Sequence, residues 1–467
     1  MTQTATIAGT LRDGGSAEIG NARHAGCKAA RLVTHSCVGE DASLASDAVF
    51  GAKAALIAAF EPVAAGATQR RNRHPHRRPH QHAGTGNLCG AEIAAGHSGG
   101  NDGPCNQDLA TGGAGLTASM TSRRIAFLGT GAQGAAIAAD FALAGLDVTF
   151  IDQWPAHVEA MREGGITVNM PTRQLHARVR ALHLCEVAEI KQPFDLVFLV
   201  VKAYDTRWAC ELIKPVLAAD GFIIGLQNGM THEDIASIVG RHRTIGAVIE
   251  IASNMWVPGI TNRQNDHDTS WFAMGALDPD QQHRVEAVAG LLRHSGTVEV
   301  TDDIHSAKWM KLVVNAAELI PSAIINTALN DAARVPGMLE VMRAAGYEAM
   351  QAALADGATI MPIIGMPPVM SNHPERYVDQ IFEKVLSTFS HEDTLTCSLQ
   401  DWRKGRRAEV ADVNGLVVDI LHRQGRDAPV NRRVVEIALD IEAGRLAPLP
   451  ENAGMMIAAF EASEWNR

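Results

Sequence analysis

Apolar and polar positions in the middle of the chain follow the pattern of an α/β protein. The run "RIAFLG" (Arg124–Gly129) is apolar and ends in glycine, which is typical of a buried parallel strand. A helical pattern follows over Ala135–Gly145, and "DVTFID" (Asp147–Asp152) predicts a second strand. The segments Phe194–Thr206 and Gly221–Met230 each predict a further strand that leads into a polar loop. This order predicts a parallel sheet with helices packed on its faces.

After about Thr301 the strand patterns end and helical patterns replace them. Apolar residues recur every three and four positions in "SAKWMKLVVNAAELIPSAIINTAL", and "VPGMLEVMRAAGYEAMQAALADGA" and "AEVADVNGLVVDILHRQG" have the same periodicity. We therefore expect a Rossmann dinucleotide-binding domain over residues 120–302. An all-helical domain for substrate binding or dimerisation should occupy residues 303–467.

Residues 1–119 differ in composition from the rest of the chain. They are rich in Gly, Ala, Ser, Thr and His, and they include the basic run Gln69–His82. Such segments bury too little apolar surface to offset the entropy lost on ordering, so we expect a disordered or misassigned leader. Metal binding or polyanion binding by the basic run is the alternative. Met120 directly precedes the first strand, and a start there would leave 467 − 119 = 348 residues.

Overall composition argues against several classes of protein. The chain is 46% hydrophobic and 20% charged, which is ordinary for a soluble globular protein, and its formal net charge of −11 argues against nucleic acid as a partner. No apolar run approaches the ~20 residues of a membrane helix, and no signal peptide is evident, so we expect a cytoplasmic protein. The seven cysteines include no C-x-x-C pair, which argues against a zinc site or a redox dithiol, and we expect no metal in the active site.

The turn between the first strand and the first helix has the pattern G-x-G-x-x-G. Its residues are Gly129, Thr130, Gly131, Ala132, Gln133 and Gly134. In this context the glycines permit a tight turn, close approach of a pyrophosphate and close packing of the helix, whose N-terminus favours phosphate. Asp152 ends the second strand, where an acid accepts hydrogen bonds from ribose hydroxyls and repels a 2′-phosphate. The pattern favours NAD(H) and leaves NADP(H) open; a glycine-rich turn without a ligand is the alternative.

Two later loops should face the same ligand. Lys202 and Asn228 follow predicted strands, and loops at the carboxyl ends of parallel strands border the ligand crevice. We therefore predict that both residues lie beside the cofactor. Each can instead be an ordinary polar surface or turn residue.

Six segments, taken in order, resemble the ketopantoate reductase (2-dehydropantoate 2-reductase) family from Met120 to the C-terminus. They are "FLGTGAQG", "VKAYDT", "LQNGM", "KWMKLVVNAAELIPSA", "SLQDWRKGRRAEVADVNG" and "APVN". The resemblance implies an N-terminal Rossmann domain, a C-terminal helical domain and an active site in the cleft between them. It also implies NAD(P)H-dependent reduction of a small 2-oxo acid to a 2-hydroxy acid, ketopantoate to pantoate, by an enzyme that can form a homodimer.

Reduction of a ketone builds negative charge on the carbonyl oxygen, so an acid must stand nearby. A lysine whose pKa is lowered by burial suits this role, and Lys311 lies in an apolar helical stretch with Asn315 on the same face. The resemblance implies that Lys311 is the general acid, that Asn315 binds substrate, and that Glu409 holds the substrate hydroxyl and orders the lysine. It also implies that Lys202 and Asn228 contact the nicotinamide ribose and the reacting end of the substrate. One alternative is that Lys311 is a surface lysine, with Lys308 the more telling neighbour. The other is that Glu409 pairs with Arg406 or Arg407 or interacts with the helix dipole.

The sequence departs from the family pattern at two places. Leu319 and Ile320 precede Pro321, where the family has a second asparagine, and Cys397 aligns with the serine that binds the substrate carboxylate, with Ser398 adjacent. We keep Cys397 and Ser398 as candidate substrate-binding residues. A different 2-oxo acid, a related dehydrogenase working on a hydroxy compound, or a non-catalytic nucleotide sensor are the alternatives to ketopantoate reduction.

Overall fold

The structure is a computed structural model that describes residues 122–367 and 373–466. The predictions for residues 1–119, including a start at Met120, lie outside the described residues. Twelve strands occur in the described parts of the chain: β1 (Arg124–Leu128), β2 (Asp147–Asp152), β3 (Ile166–Asn169), β4 (Gln174–Ala177), β5 (Arg180–His183), β6 (Phe194–Leu199), β7 (Leu217–Gly225), β8 (Thr244–Glu250), β9 (Ser253–Val257), β10 (Ile260–Arg263), β11 (Trp271–Ala276) and β12 (Thr297–Val300).

Thirteen α-helices occur in the same described residues. They are α1 (Ala132–Leu143), α2 (Pro155–Gly164), α3 (Thr206–Ile213), α4 (His232–Val239), α5 (Gln282–Leu292), α6 (Ile304–Ile324), α7 (Leu329–Ala332), α8 (Met338–Ala355), α9 (Pro374–Lys384), α10 (Cys397–Arg403), α11 (Leu416–Arg423), α12 (Pro429–Glu442) and α13 (Ala453–Glu461). None of the helices in the described segments is long and apolar enough to cross a membrane.

The larger sheet has the strand order of a Rossmann fold. Its eight strands run β12-β11-β8-β7-β6-β1-β2-β5, and the six from β8 to β5 are parallel. Strand β11 is antiparallel to β8, and β12 is parallel to β11. The strand order reverses direction between β1 and β6, which is where such sheets bind nucleotides. The predicted parallel sheet, followed by a helical region, is therefore confirmed.

Alternating residues of the central strands are buried on opposite faces of this sheet. In β1, Ile125 and Phe127 pack with α1 and α5 on one face, while Ala126 and Leu128 pack with α3 and α4 on the other. This two-sided burial explains why the strand reads as a continuous apolar run in the sequence. The central strands are consequently rigid supports for the loops at their carboxyl ends.

A second sheet was not anticipated from the sequence. Its four short strands run β4-β3-β10-β9, and it packs beside the first helix of the Rossmann unit, where the Thr261 hydroxyl donates to the Ala132 carbonyl (2.9 Å). The four-residue strands β3, β4 and β10 are too short to produce a clear period-two pattern, so they could not be predicted from the sequence. This sheet buttresses the start of α1 and thus the glycine-rich turn.

Helix α6 connects the Rossmann sheet to the helical region and is buried along its length. Every residue of Ile304–Ile324 except His305 is buried, as expected for a helix that is largely apolar all round. Four charged or amide side chains occur in it at intervals of three, four and three positions, which places them on one face: Lys308, Lys311, Asn315 and Glu318. Charged and amide side chains on so buried a helix are expected to have polar partners on the elements that pack against this face.

His232 in α4 is buried against the start of α6, where its ring faces that of His305 (centroids 5.7 Å apart). Among the described residues neither of its ring nitrogens has a hydrogen-bond partner. Burial, assisted by the positive charge of Lys308 and by His305 and Arg241, lowers the pKa of His232 from 6.5 to about 3. The folded protein therefore holds this imidazole neutral.

This histidine should make the fold acid-sensitive. Between pH 6.5 and 3 the unfolded chain binds the proton that the folded chain refuses, so the free energy of unfolding should fall as the pH falls through that window. The loss should be roughly 2 kcal/mol between pH 6.5 and 5. Urea denaturation should show that His232→Phe removes this part of the pH dependence, whereas substitution of the exposed His242 does not. Equal pH dependence in His232→Phe and the native protein would contradict the assignment.

Candidate functional site

The glycine-rich turn forms one wall of a cleft at the carboxyl ends of β1 and β6. Helix α1 begins at Ala132, so its unpaired N–H groups point towards the cleft. A Cβ atom placed on Gly131 would have no heavy atom within 4 Å, whereas one on Gly134 would lie 2.1 Å from the Gly129 carbonyl oxygen. The turn therefore has open space where a phosphate would approach and no space where the helix meets the strand. Both features fit a dinucleotide.

Asp152, the last residue of β2, lies beside the glycine-rich turn in this wall. One carboxylate oxygen accepts hydrogen bonds from the Thr130 backbone N–H (2.7 Å) and hydroxyl (3.3 Å), and the other accepts from the Trp154 N–H (2.8 Å). Asp152 also lines the cleft, and a carboxylate has lone pairs left for a further donor. Thr130 is fully buried, so its part is to hold Asp152 rather than to touch a ligand.

Lys202 follows β6 on the opposite side of the switch point. Its Nζ lies 2.5 Å from an Asp401 oxygen and 3.6 Å from a Glu409 oxygen. The other Glu409 oxygen accepts from the Ala203 N–H (2.7 Å). Burial works to lower the pKa of Lys202, but the carboxylates of Glu409 and Asp401 outweigh it and raise that pKa. Lys202 is therefore a fixed cation that joins the sheet to the helical region.

Lys311 contacts two carboxylates rather than an apolar pocket. Its Nζ lies 2.5 Å from Glu250, which ends β8, and 3.8 Å from Glu318, two turns along its own helix. Burial lowers its pKa, but these two acids outweigh burial and the pKa is raised. The expectation of a pKa lowered towards neutrality is wrong for Lys311, because buried acids oppose desolvation. The carboxylate beside Lys311 is thus not that of Glu409, which lies next to Lys202.

The lowered pKa belongs to Lys308 instead. Its Nζ donates to the backbone carbonyls of Gln227 (2.9 Å) and Ala247 (3.1 Å). Burial lowers its pKa to about 7 against the opposing effect of the Glu409 carboxylate. Lys308 does not line the cleft. Its role is therefore structural, since its hydrogen bonds link α6 to the sheet and its loops.

The two predicted asparagines meet across the cleft. The Asn315 side-chain N–H donates to the Asn228 side-chain oxygen (3.1 Å), and both residues line the cleft. Gln133, from the glycine-rich turn, donates to the Ile251 carbonyl (2.9 Å) nearby. The structure therefore brings together side chains from the loop after β7, the start of α1 and helix α6, next to the backbone that follows β8.

Cys397 begins α10 and lines the cleft, whereas Ser398 is buried and does not reach the wall. Burial raises the pKa of the Cys397 thiol to about 12, although Lys202 opposes the shift, so it is a neutral thiol at ordinary pH. Of the two candidates for binding substrate at this position, the structure thus exposes only Cys397 to a ligand.

The cleft consists of a larger cavity of about 490 Å³ and a smaller one of about 90 Å³. The glycine-rich turn, Asp152 and Lys202 line the larger, and Lys311 and Asn315 line the smaller. Five residues line both: Gln133, Asn228, Ser253, Cys397 and Gln400. This arrangement fits a dinucleotide in the larger cavity with its reactive end at the junction, next to a small substrate. Within the described residues no cluster of His, Cys, Asp or Glu is suited to a metal ion.

Three acidic residues of the site were not predicted from the sequence: Glu250, Glu318 and Asp401. Each had a visible indication. Glu250 ends an apolar strand, Glu318 lies seven residues after Lys311 in an apolar helix, and Asp401 falls within a segment that resembles the family. An acid in an otherwise apolar setting is expected to have a partner.

A Rossmann sheet with a fitting glycine-rich turn, a buried lysine and a small adjoining cavity is an arrangement typical of dinucleotide-dependent oxidoreductases. The family model "Ketopantoate reductase PanE/ApbA" matches residues 125–276, and the model for its C-terminal part matches residues 303–442. The chain belongs to the ketopantoate reductase family, whose members are NAD(P)-dependent oxidoreductases that act on CH–OH groups.

Individual proteins of known sequence or structure are also similar to this chain. A 2-dehydropantoate 2-reductase from Archaeoglobus fulgidus is 28% identical over 328 residues, which are 70% of this chain and 100% of the relative. A PanE/ApbA family ketopantoate reductase from Ralstonia eutropha has a similar crystal structure (TM-score 0.59, 25% identity, covering 69% of this chain and 99% of that one). D-mandelate dehydrogenase, solved with NADH and anilino(oxo)acetate, shares the fold (TM-score 0.62, 19% identity, 69% and 98% covered).

Proposed function

We propose that this protein reduces a 2-oxo acid to the 2-hydroxy acid with a nicotinamide cofactor, in the manner of the 2-dehydropantoate 2-reductases that it resembles. The observation that carries the proposal is the position of Lys311, on the wall of a small cavity that shares five wall residues with a cleft suited to a dinucleotide. The proposal also takes residues 120–302 as the dinucleotide-binding domain and residues 303–467 as the substrate domain.

The residues of the smaller cavity have distinct parts in this reaction. A bound reduced nicotinamide supplies the hydride to the carbonyl carbon. Lys311, kept protonated by Glu250 and Glu318, donates a proton to the carbonyl oxygen and stabilises the charge that develops there. The amides of Asn315 and Asn228 offer further donors that orient the substrate. Helix packing excludes water from the lysine, which strengthens each of these interactions.

The larger cavity holds the cofactor in this proposal. The Gly131 opening and the N–H groups at the start of α1 receive the pyrophosphate, and Asp152 accepts from the adenosine ribose. Lys202, fixed by Asp401 and Glu409, donates to the nicotinamide ribose. Glu409 therefore acts by positioning Lys202 rather than by ordering Lys311.

We expect NADH to be preferred to NADPH by at least roughly tenfold in kcat/KM, because a 2′-phosphate would lie against the buried carboxylate of Asp152. The measurement is absorbance of the reduced nicotinamide, with the purified protein, both cofactors and a panel of 2-oxo acids that includes ketopantoate. A clear preference for NADPH would contradict the role given to Asp152. Turnover of none of the panel would contradict the proposed reduction.

The same assay separates the alternative functions. A dehydrogenase that works on a hydroxy compound would be revealed by the reverse reaction, with 2-hydroxy acids and the oxidised cofactor. A nucleotide sensor would bind NADH and turn over neither panel. The buried Lys311 and its two carboxylates favour the enzyme, because nucleotide binding alone does not require a charged group in the smaller cavity.

A further inference from the structure

Glu318 is a buried carboxylate with one oxygen left unsatisfied. It is only 4% exposed, it lies on the polar face of α6, and it lines the smaller cavity. One of its oxygens is 3.8 Å from the Lys311 Nζ, and the other has no hydrogen-bond partner among the described residues. A buried carboxylate oxygen without a donor is costly, so a missing donor is the natural explanation.

The missing donor is not Lys311. That lysine already has an acid at 2.5 Å in Glu250, which is enough to neutralise it. With both acids ionised, the group of three carries one excess negative charge. The excess disfavours a second anion beside Glu318 and favours a group that donates a hydrogen bond.

The wall of the smaller cavity includes apolar side chains as well as the hydroxyl-bearing Ser390, Thr394 and Thr396. Leu319, Leu329, Val385 and Phe389 line it together with Glu318. A ligand that fills it should therefore have a compact apolar body and one polar group aimed at the carboxylate. A hydroxyl suits this better than an ammonium, since it can donate to the ionised form and accept from the protonated form of the acid. Both forms exist near neutral pH, because burial, with Glu250 adding to it, raises the pKa of Glu318 to about 7 against the effect of Lys311.

We propose that Glu318 binds a hydroxyl group of the substrate and thereby selects hydroxylated 2-oxo acids with a compact apolar body over their deoxy analogues. This inference rests on the proposed function. It assigns Glu318 a part in substrate specificity in addition to its part in keeping Lys311 protonated.

The test compares two substrates that differ only in the hydroxyl: ketopantoate and the analogue in which that hydroxyl is replaced by hydrogen. The native protein should prefer ketopantoate by about tenfold or more in kcat/KM, since a buried group built to bond a hydroxyl rejects an analogue that lacks it. Glu318→Leu should remove most of that preference, chiefly by slowing ketopantoate. Glu318→Gln, which can still bond a hydroxyl, should restore part of it.

A matched control is available in α8. Glu348 is as buried as Glu318, but it accepts hydrogen bonds from the backbone N–H groups of Val430 and Asn431, away from the cleft. Glu348→Gln should lower stability without changing the ratio between the two substrates. An unchanged ratio in Glu318→Leu, or the absence of any preference in the native protein, would overturn this inference alone. Failure of the native protein to reduce any 2-oxo acid would overturn the proposed function and this inference with it.

Discussion

Replacement of Lys311 by methionine should lower kcat by roughly 10²–10⁴-fold while NADH still binds. Methionine keeps the length and apolar stem of lysine but cannot donate a proton or a charged hydrogen bond to the carbonyl oxygen. The larger cavity, where the cofactor is proposed to bind, does not include Lys311, so the dissociation constant of NADH should change little. Steady-state kinetics and a fluorescence titration with NADH measure the two quantities on one preparation.

Lys308 offers the control for this prediction. It lies one turn earlier on the same helix, is equally buried, and donates to backbone carbonyls without lining the cleft itself. Lys308→Met should change the free energy of unfolding but should lower kcat by less than about tenfold, because no reacting atom touches it. If Lys308→Met loses activity and Lys311→Met keeps it, the proton donor has been assigned to the wrong lysine.

A loss of NADH binding in Lys311→Met would instead indicate that the helix has moved. Glu250 and Glu318 are both buried, and removal of the cation leaves them unpaired. Such a change can destabilise the protein by several kcal/mol, so urea denaturation belongs with the kinetics. Lys311→Arg preserves the charge and is the variant to use if methionine unfolds the chain.

The Rossmann half could be predicted because its determinants are local. The strand Arg124–Leu128 is apolar on both faces, the glycines stand at fixed spacing, and Asp152 ends the next strand. Each of these patterns is complete within a short stretch of sequence. The small sheet could not be predicted in this way, because its short strands pair across distant segments such as Ile166–Asn169 and Ile260–Arg263.

The resemblance predicted which residues belong to the candidate site, but not the direction in which the pKa values of its lysines are shifted. Lys202 and Lys311 each contact two buried carboxylates that lie on other elements or on later turns of the same helix. Sequence spacing does not reveal such partners, and they reverse the sign of the pKa shift that burial alone would produce. Consequently the lysine that has the pKa expected for Lys311 is Lys308, one turn away.

The glycine-rich turn permits an equally direct test, because alanine at two of its glycines should have two different effects: one on NADH binding and the other on stability. Gly131 has φ −63°, which alanine adopts readily, and a Cβ there would meet nothing within 4 Å. Gly131→Ala should therefore leave the free energy of unfolding nearly unchanged. Its methyl group would occupy the space proposed for the pyrophosphate, so the dissociation constant of NADH should rise by about tenfold or more.

Gly134→Ala should instead lower the free energy of unfolding. Its Cβ would lie 2.1 Å from the Gly129 carbonyl oxygen, a backbone atom that cannot move without shifting β1 against α1. Overpacking of this kind costs about 1–3 kcal/mol or more, so urea denaturation should show a clear loss of stability. Tight NADH binding by Gly131→Ala would show that the phosphate does not approach the turn there. Native stability in Gly134→Ala would show that the helix and strand are not in contact. The pair thus separates the binding function of the turn from its structural one, which loss of activity in either variant alone cannot do.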